Sequence, residues 1–302
     1  MQLAHIAAAL TAYVWWGLLP LYFHHMSALP PLEMVAYRIF FAVPVLLIGL
    51  RLRVGRKWLA ELGSALRTKR LWVCASMLLC NWLVYVWSVQ QNRVVETSLG
   101  YFINPMVYVL FGILFFSERL ATLQQIGISV VLIAISVMVW QSHTVPWIAF
   151  VLAFSFAIYG SLHKTVDNIK PSAALTAELI VLLPVALVVI GVGLGRRSLQ
   201  FFELGGLEIF LAMSAGLVTA VPLLLFIFAT EGISLSFIGV MQYLAPTIQF
   251  LLAVIVFGEP FDSVRKTAFV IVWCGILLFL GGLWNKYKLA EAHNARAAKT
   301  AG

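Results

Sequence analysis

An all-α integral membrane protein is the fold class this sequence predicts, and three observations carry the prediction. Hydrophobic residues make up 62% of the 302-residue chain and charged residues only 11%, whereas an ordinary soluble domain is about 25% charged. The apolar residues fall in runs of about 20, the length at which a helix crosses a bilayer. The layout of Ser98–Arg119 also returns at Gly239–Pro260. Pro105 stands 13 residues before Glu118, and Pro246, 141 positions further on, stands 13 before Glu259. A soluble core is excluded.

Ten spans are expected, over residues 3–23, 33–51, 71–90, 97–116, 120–140, 146–164, 173–194, 207–230, 235–257 and 265–284. The first has no Lys or Arg before it and exceeds the 7–15 apolar residues of a secretory signal, so it reads as an uncleaved span. Short connections make consecutive helices antiparallel neighbours, and no loop is large enough for a soluble domain. The Ala-rich, basic tail 285–302 is expected to fray.

The net charge of +8 lies between spans, which points to anchoring at a membrane face and not to nucleic acid. With a cytoplasmic N-terminus, 14 of the 20 Lys and Arg residues fall inside and 5 outside, Arg38 lying within a span. Seven of the 14 crowd into the loop 51–70. Positively charged loops stay cytoplasmic, so both termini are predicted to be cytoplasmic.

The repeat extends beyond one span. Pro44 and Pro184 are 140 apart, and Trp16-Gly17 and Tyr159-Gly160 are 143 apart. Five spans per unit is an odd number, so the halves run in opposite senses: a 5+5 inverted-topology repeat, 1–142 and 143–284, followed by the basic cytoplasmic tail 285–302. Secondary transporters use this plan with the substrate at the repeat interface near mid-membrane.

Polar groups inside a bilayer usually face the protein interior or a wet cavity. Arg38 and Glu178, again 140 apart, lie early in the second and seventh spans, ~15 Å apart along the membrane normal. Each either polarises one mouth of a central pathway or snorkels to the nearer interface. Asn81, halfway along the third span, either bonds a neighbouring helix or faces substrate, with Tyr85 as its companion one turn on. Tyr101 and Asn104 precede Pro105 as Gln242 and Tyr243 precede Pro246. Proline frees the carbonyl four residues back, here that of Tyr101 or Gln242, to line a cavity or merely to kink the helix. Pro44 and Pro184 are further kink or gating candidates. Tyr13 and Trp16 are candidates for an aromatic box, and Tyr159 belongs to the pathway set. Trp72, Trp147 and Trp284 read as interface anchors, and Glu118 and Glu259 as helix end caps that fix tight turns.

No catalytic or metal set emerges. The only aspartates, Asp167 and Asp262, lie outside the spans, and no H-E-x-x-H, P-loop or G-x-S-x-G motif occurs. The cysteines Cys74, Cys80 and Cys274 sit in apolar runs and read as packing residues. His24-His25 reads as an exposed pair. No cofactor is expected; coupling to protons through Glu178 and export without any ion both stay open.

A-Y-V-W-W-G-L-L-P-L-Y-F near the start and E-T-S-L-G-Y-F-I-N-P at 96–105 resemble the drug/metabolite transporter superfamily, EamA family. Within it, N-W-L-V-Y-V-W (81–87), L-A-F-S-F-A-I-Y-G (152–160) and Q-Y-L-A-P-T (242–247) look like the RarD branch, labelled chloramphenicol-sensitive protein. The likeness covers residues 3–284. It implies a multi-pass carrier of the bacterial inner membrane with a central cavity lined by spans one to four and six to nine. Spans five and ten would then stand aside as support or dimer contacts.

The expected function is secondary transport of a small metabolite or drug-like solute by alternating access, as export, by a monomer or homodimer and without enzymatic activity. Two alternatives stay open. One is a membrane-embedded enzyme on lipid-type substrates, which would want clustered acids or histidines at one interface. The other is a sensor or assembly subunit, which would act through the basic loop 51–70.

Overall fold

The computed structural model describes residues 2–116, 120–142, 145–163, 165–166, 168–233 and 241–300. Glu118, Arg119 and Lys164 lie outside them. The described residues form helices and turns without a strand: α1 (Gln2–His25), α2 (Pro31–Val54), α3 (Trp58–Arg67), α4 (Lys69–Gln90), α5 (Val94–Phe116), α6 (Thr122–Ser142), α7 (Trp147–His163), α8 (Pro171–Arg196), α9 (Gly206–Thr230), α10 (Leu244–Leu251) and α11 (Ser263–Thr300). Seven described segments are long and apolar enough to cross a membrane; α7 and α10, with the π turn that extends α10, are shorter.

The two helices that carry the intramembrane charges are built alike. α2 and α8 each start with proline at the first helical position, Pro31 and Pro171, where a missing N–H costs nothing. Each keeps a second proline within the helix, Pro44 or Pro184. Each ends on a left-handed residue, Gly55 at φ 70° and Arg197 at φ 53°. After α8, Ser198 N–H reaches back to Gly193 C=O at 3.0 Å, the bond that closes a helix C-terminus of this kind.

Packing runs across the chain's midpoint. α6 packs chiefly on α11, α4 and α5 on α7, α2 on α8 and α9, and α1 on α9 and α10. Every one of these pairs joins a helix before residue 143 to one after it. Without a hydrophobic effect between helices in lipid, close backbone approach at small residues supplies the attraction. A Cβ on Gly127 would stand 2.6 Å from Gly275 C=O, and one on Gly275 would stand 2.8 Å from Gly127 C=O. Gly100 brings α5 equally close to Ala149 of α7. α6 and α11 therefore lean mainly on each other.

Three sequence expectations need correction. The basic loop 51–70 is not irregular: a 3-10 turn at Gly55–Lys57 leads into α3. α3 buries Leu62 and Ala65 and packs on α8. The tail does not fray at residue 285, because α11 continues to Thr300, as an Ala-rich segment with high helix propensity can. The ninth span is not one helix over 235–257. Gln242 and Tyr243 form a turn, so Pro246 falls in the first turn of α10, where its lack of an N–H is harmless. The π turn Leu252–Val256 then closes on Gly258 at φ 63°. Pro105, by contrast, lies inside a continuous α5.

Candidate functional site

Arg38 is buried, which removes the snorkelling alternative. Its Nε donates to Thr219 Oγ1 of α9 at 2.7 Å. Its Cζ lies 3.8 Å from the centroid of the Trp82 ring and 5.4 Å from that of Phe23. A guanidinium desolvated over an indole gains about 2 kcal/mol. Tyr22, Tyr85 and Tyr101 also face its charge. Nη1 is buried with no hydrogen-bond partner, and so is the Tyr85 hydroxyl, whose ring stands 5.9 Å from both Phe23 and Tyr101.

Asn81 adjoins this cluster and ties three helices together. Its Nδ2 donates to Leu152 C=O at 3.1 Å and to Ser155 Oγ at 3.0 Å, both on α7. Its Oδ1 accepts the Tyr101 hydroxyl of α5 at 3.1 Å. The bond to neighbouring helices, one of the two roles open to Asn81, is made here. Its hydrogen-bonded companion is Tyr101, not Tyr85. Asn104, one turn beyond Tyr101, is buried with an unpartnered Oδ1.

Glu178 of α8 is fully buried and makes no ion pair with Arg38. His163 Nε2 lies 2.5 Å from Oε1, and the Tyr159 hydroxyl donates to Oε2 at 3.1 Å. Cys74 is buried beside them, so that Cys74, His163 and Glu178 bring sulfur, nitrogen and oxygen donors within 4.8 Å of one another. A soft divalent ion suits such a donor set, yet both carboxylate oxygens already have partners within the chain. Cys80 and Cys274 are exposed on the outer surface of the bundle, where no packing role falls to them.

Tyr13 and Trp16 meet edge to face at 5.5 Å, with Phe226 of α9 against both. The Trp16 carbonyl accepts from Gln249 Nε2 of α10 at 3.0 Å. This box is separate from the one around Arg38. Tyr243 stacks on Phe102 at 6.3 Å and keeps a buried, unpartnered hydroxyl, while Gln242 is only half-buried in the turn. Beside α1, an apolar groove of about 500 Å³ is lined by Leu10, Val14, Trp15, Leu18, Tyr22 and Val218. Trp72, Trp147 and Trp284 are exposed. His25 is exposed, but His24 packs its ring on Phe257 at 4.6 Å.

Thr219, His163 and Ser155 complete the clusters, and sequence reasoning named none of them in a role. Their only signal is a polar side chain on an apolar helix. Glu33 was missed as well: its carboxylate accepts from Tyr37 Oη and the N–H of Phe201, each at 3.1 Å. Glu259 closes the end of its own helix through its backbone, its N–H donating to Ala253 C=O at 2.9 Å, while its carboxylate serves another helix. It accepts the N–H groups of Val94 and Val95 at 2.5 and 2.8 Å, at the start of α5.

Helices of this length and apolarity, with paired polar clusters in their midst, define a multi-pass membrane protein. Comparison with known proteins narrows the class. The pattern of the EamA-like transporter family matches residues 3–140. A Vibrio cholerae protein named an uncharacterized transporter is 33% identical over 298 residues, covering 97% of this chain and 96% of its own. Protein RarD of Streptomyces exfoliatus is 36% identical over 290 residues, covering 94% and 90%. One solved crystal structure shares the fold with a TM-score of 0.60 at 16% identity, over 91% of this chain and 96% of that one. The chain belongs to the EamA-like transporter family, with relatives of the RarD type, and is a bacterial inner-membrane protein.

Proposed function

We propose that this protein is a secondary carrier that moves a small metabolite or drug-like solute outward across the cytoplasmic membrane by alternating access. The observation that carries the reading is the exchange of partners between the halves. α2 and α8, alike in their prolines and end caps, pack on each other, and so do α6 and α11. The pairing of α4 with α7 is matched by that of α9 with α1, and α5 on α7 by α10 on α1. A two-fold exchange of residues 1–142 with 143–284 accounts for all of these; an odd number of spans per half makes it an inverted repeat with both termini on one side, and the excess of Lys and Arg in the loops on that side makes it the cytoplasmic one. The helix 285–300 then lies on the cytoplasmic side.

In this arrangement the Arg38 cluster belongs to the outer half of the pathway and the Glu178 cluster to the inner half. Rocking one half against the other opens each in turn. Both clusters are buried here, which fits a closed state between the two openings.

The test uses a background in which Cys74, Cys80 and Cys274 are replaced, with a single cysteine at Tyr85 or at Tyr159. A membrane-impermeant maleimide should label the first from outside and the second from inside, and conditions that raise one rate should lower the other. Labelling of both from the same side, or in parallel, would rule out the mechanism.

A further inference from the structure

The chemistry of the Arg38 cluster narrows the solute. An arginine in the membrane interior is costly unless something answers its charge. Among the described residues no carboxylate does so. Thr219 Oγ1 takes Nε, and the remaining neighbours are the ring faces of Trp82 and Phe23 and the side chains of three tyrosines. Two hydrogen-bond donors are left over in the same enclosure, Arg38 Nη1 and the Tyr85 hydroxyl. A buried site with surplus donors, net positive charge and no anionic acceptor to match calls for an anion. The guanidinium edge and a phenolic hydroxyl together suit the two oxygens of a carboxylate. Around them the surface is aromatic, from Phe23, Trp82, Tyr85 and Tyr101, and such a wall prefers a flat apolar body to a hydrated inorganic ion.

We propose that the Arg38 cluster is a receptor for the carboxylate of a small organic anion with a flat apolar body, Arg38 and Tyr85 holding the two oxygens. The proposal rests on the carrier reading above, in which this cluster lies on the solute's path. Its neutral counterpart, the corresponding amide, keeps the body but loses the charge and should be rejected. Arg38 acts here as a ligand-binding residue, so its loss should matter to binding more than to folding.

The experiment is a thermal unfolding titration of the purified full-length protein at constant ionic strength, with benzoate and indole-3-acetate against benzamide and indole-3-acetamide. Ligands that bind only the folded state raise the apparent midpoint. Both acids should raise it saturably and neither amide should. Tyr85→Phe should weaken the acids about ten- to a hundredfold, the value of one hydrogen bond to a charged group. Arg38→Met, which replaces an uncompensated buried charge by an apolar side chain of similar length, should unfold no earlier than wild type and respond to nothing. If Arg38→Met does not fold, Arg38→Lys decides: it should keep the preference for acid over amide with reduced affinity. Equal responses to acids and amides, an undiminished response in either Arg38 variant, or a full shift from chloride alone overturns the proposal. Acid-selective binding without flux in liposomes would leave this site standing and remove the carrier reading. Flux of a neutral solute undiminished in Arg38→Met would do the reverse.

Discussion

The carboxylate of Glu259 accepts the N–H of Val95 at 2.8 Å, although 164 residues separate the two. With Val94 on its other oxygen, Glu259 supplies the N-terminal cap that α5 lacks in its own sequence. Removing such a cap and leaving two buried N–H groups unmatched should cost about 1–3 kcal/mol. Glu259→Ala should therefore lower the apparent unfolding midpoint clearly, whereas Glu203→Ala, at an exposed position, should not. Equal midpoints would mean that the bond contributes nothing.

The same group predicts a pH dependence. Glu259 lies outside the spanning segments. Burial, with the nearby Glu96, pushes its carboxyl above the ordinary value of 4.5, while the N–H groups of Val95 and Val94 and the charge of Arg265 pull the other way without overcoming the rise. A carboxyl whose folded-state value is raised contributes most below its ordinary value and loses that contribution as pH climbs through the raised one. As pH rises from 4.5, wild type should lose stability relative to Glu259→Gln. A difference that stays flat, or that moves in favour of wild type, contradicts the assignment. Unfolding midpoints measured across this window decide it.

Gly216 tests the close packing of the halves. A Cβ there would stand 2.2 Å from Phe41 C=O and 2.7 Å from Ala42 N of α2, both backbone atoms that cannot step aside. Gly216→Ala should cost about 3 kcal/mol or more and reduce the yield of folded protein. Gly191, with nothing within 4 Å of its would-be Cβ, should tolerate alanine and gain about 0.5–1 kcal/mol from helix propensity. Matching yields and unfolding midpoints for the two variants would sink the packing description.

Asn81 and Tyr101 should behave as one unit. Hydrogen bonds between membrane helices average about 0.6 kcal/mol, so Tyr101→Phe should be a mild change in wild type. In an Asn81→Ala background it should cost almost nothing, because its partner has gone. A double-mutant cycle on unfolding midpoints reads this coupling, and strictly additive effects would contradict the bond.

Much of the fold was legible because the bilayer leaves only two marks on such a sequence, apolar length and proline position. The runs located the helices up to α9 within a few residues, and Pro44 with Pro184 marked out α2 and α8 as a pair. Arg38 and Glu178 could be picked out because charge is rare in an apolar helix. Their partners could not: Thr219 and His163 come from other helices, Thr219 181 positions away from Arg38, and nothing local distinguishes them from other polar residues. The break before α10 was hidden for a related reason. Pro246 reads the same in sequence whether it kinks a helix or starts one, and only the turn at Gln242–Tyr243 decides. The expectation for Glu118 lies outside the described residues, and that for Glu259 holds for its backbone, which closes the turn after α10, but not for its carboxylate. A carboxylate at the end of one helix was assumed to serve that helix, whereas the unpaired amides that needed it were at the start of α5.

The carrier reading is tested most directly by flux. Liposomes containing the purified protein and loaded with unlabelled indole-3-acetate should accumulate labelled indole-3-acetate by exchange, with saturation. Arg38→Met should lower that rate at least tenfold and Gly191→Ala should leave it unchanged. Exchange no faster than in protein-free liposomes, across this solute and a panel of amino acids and drugs, would contradict the account.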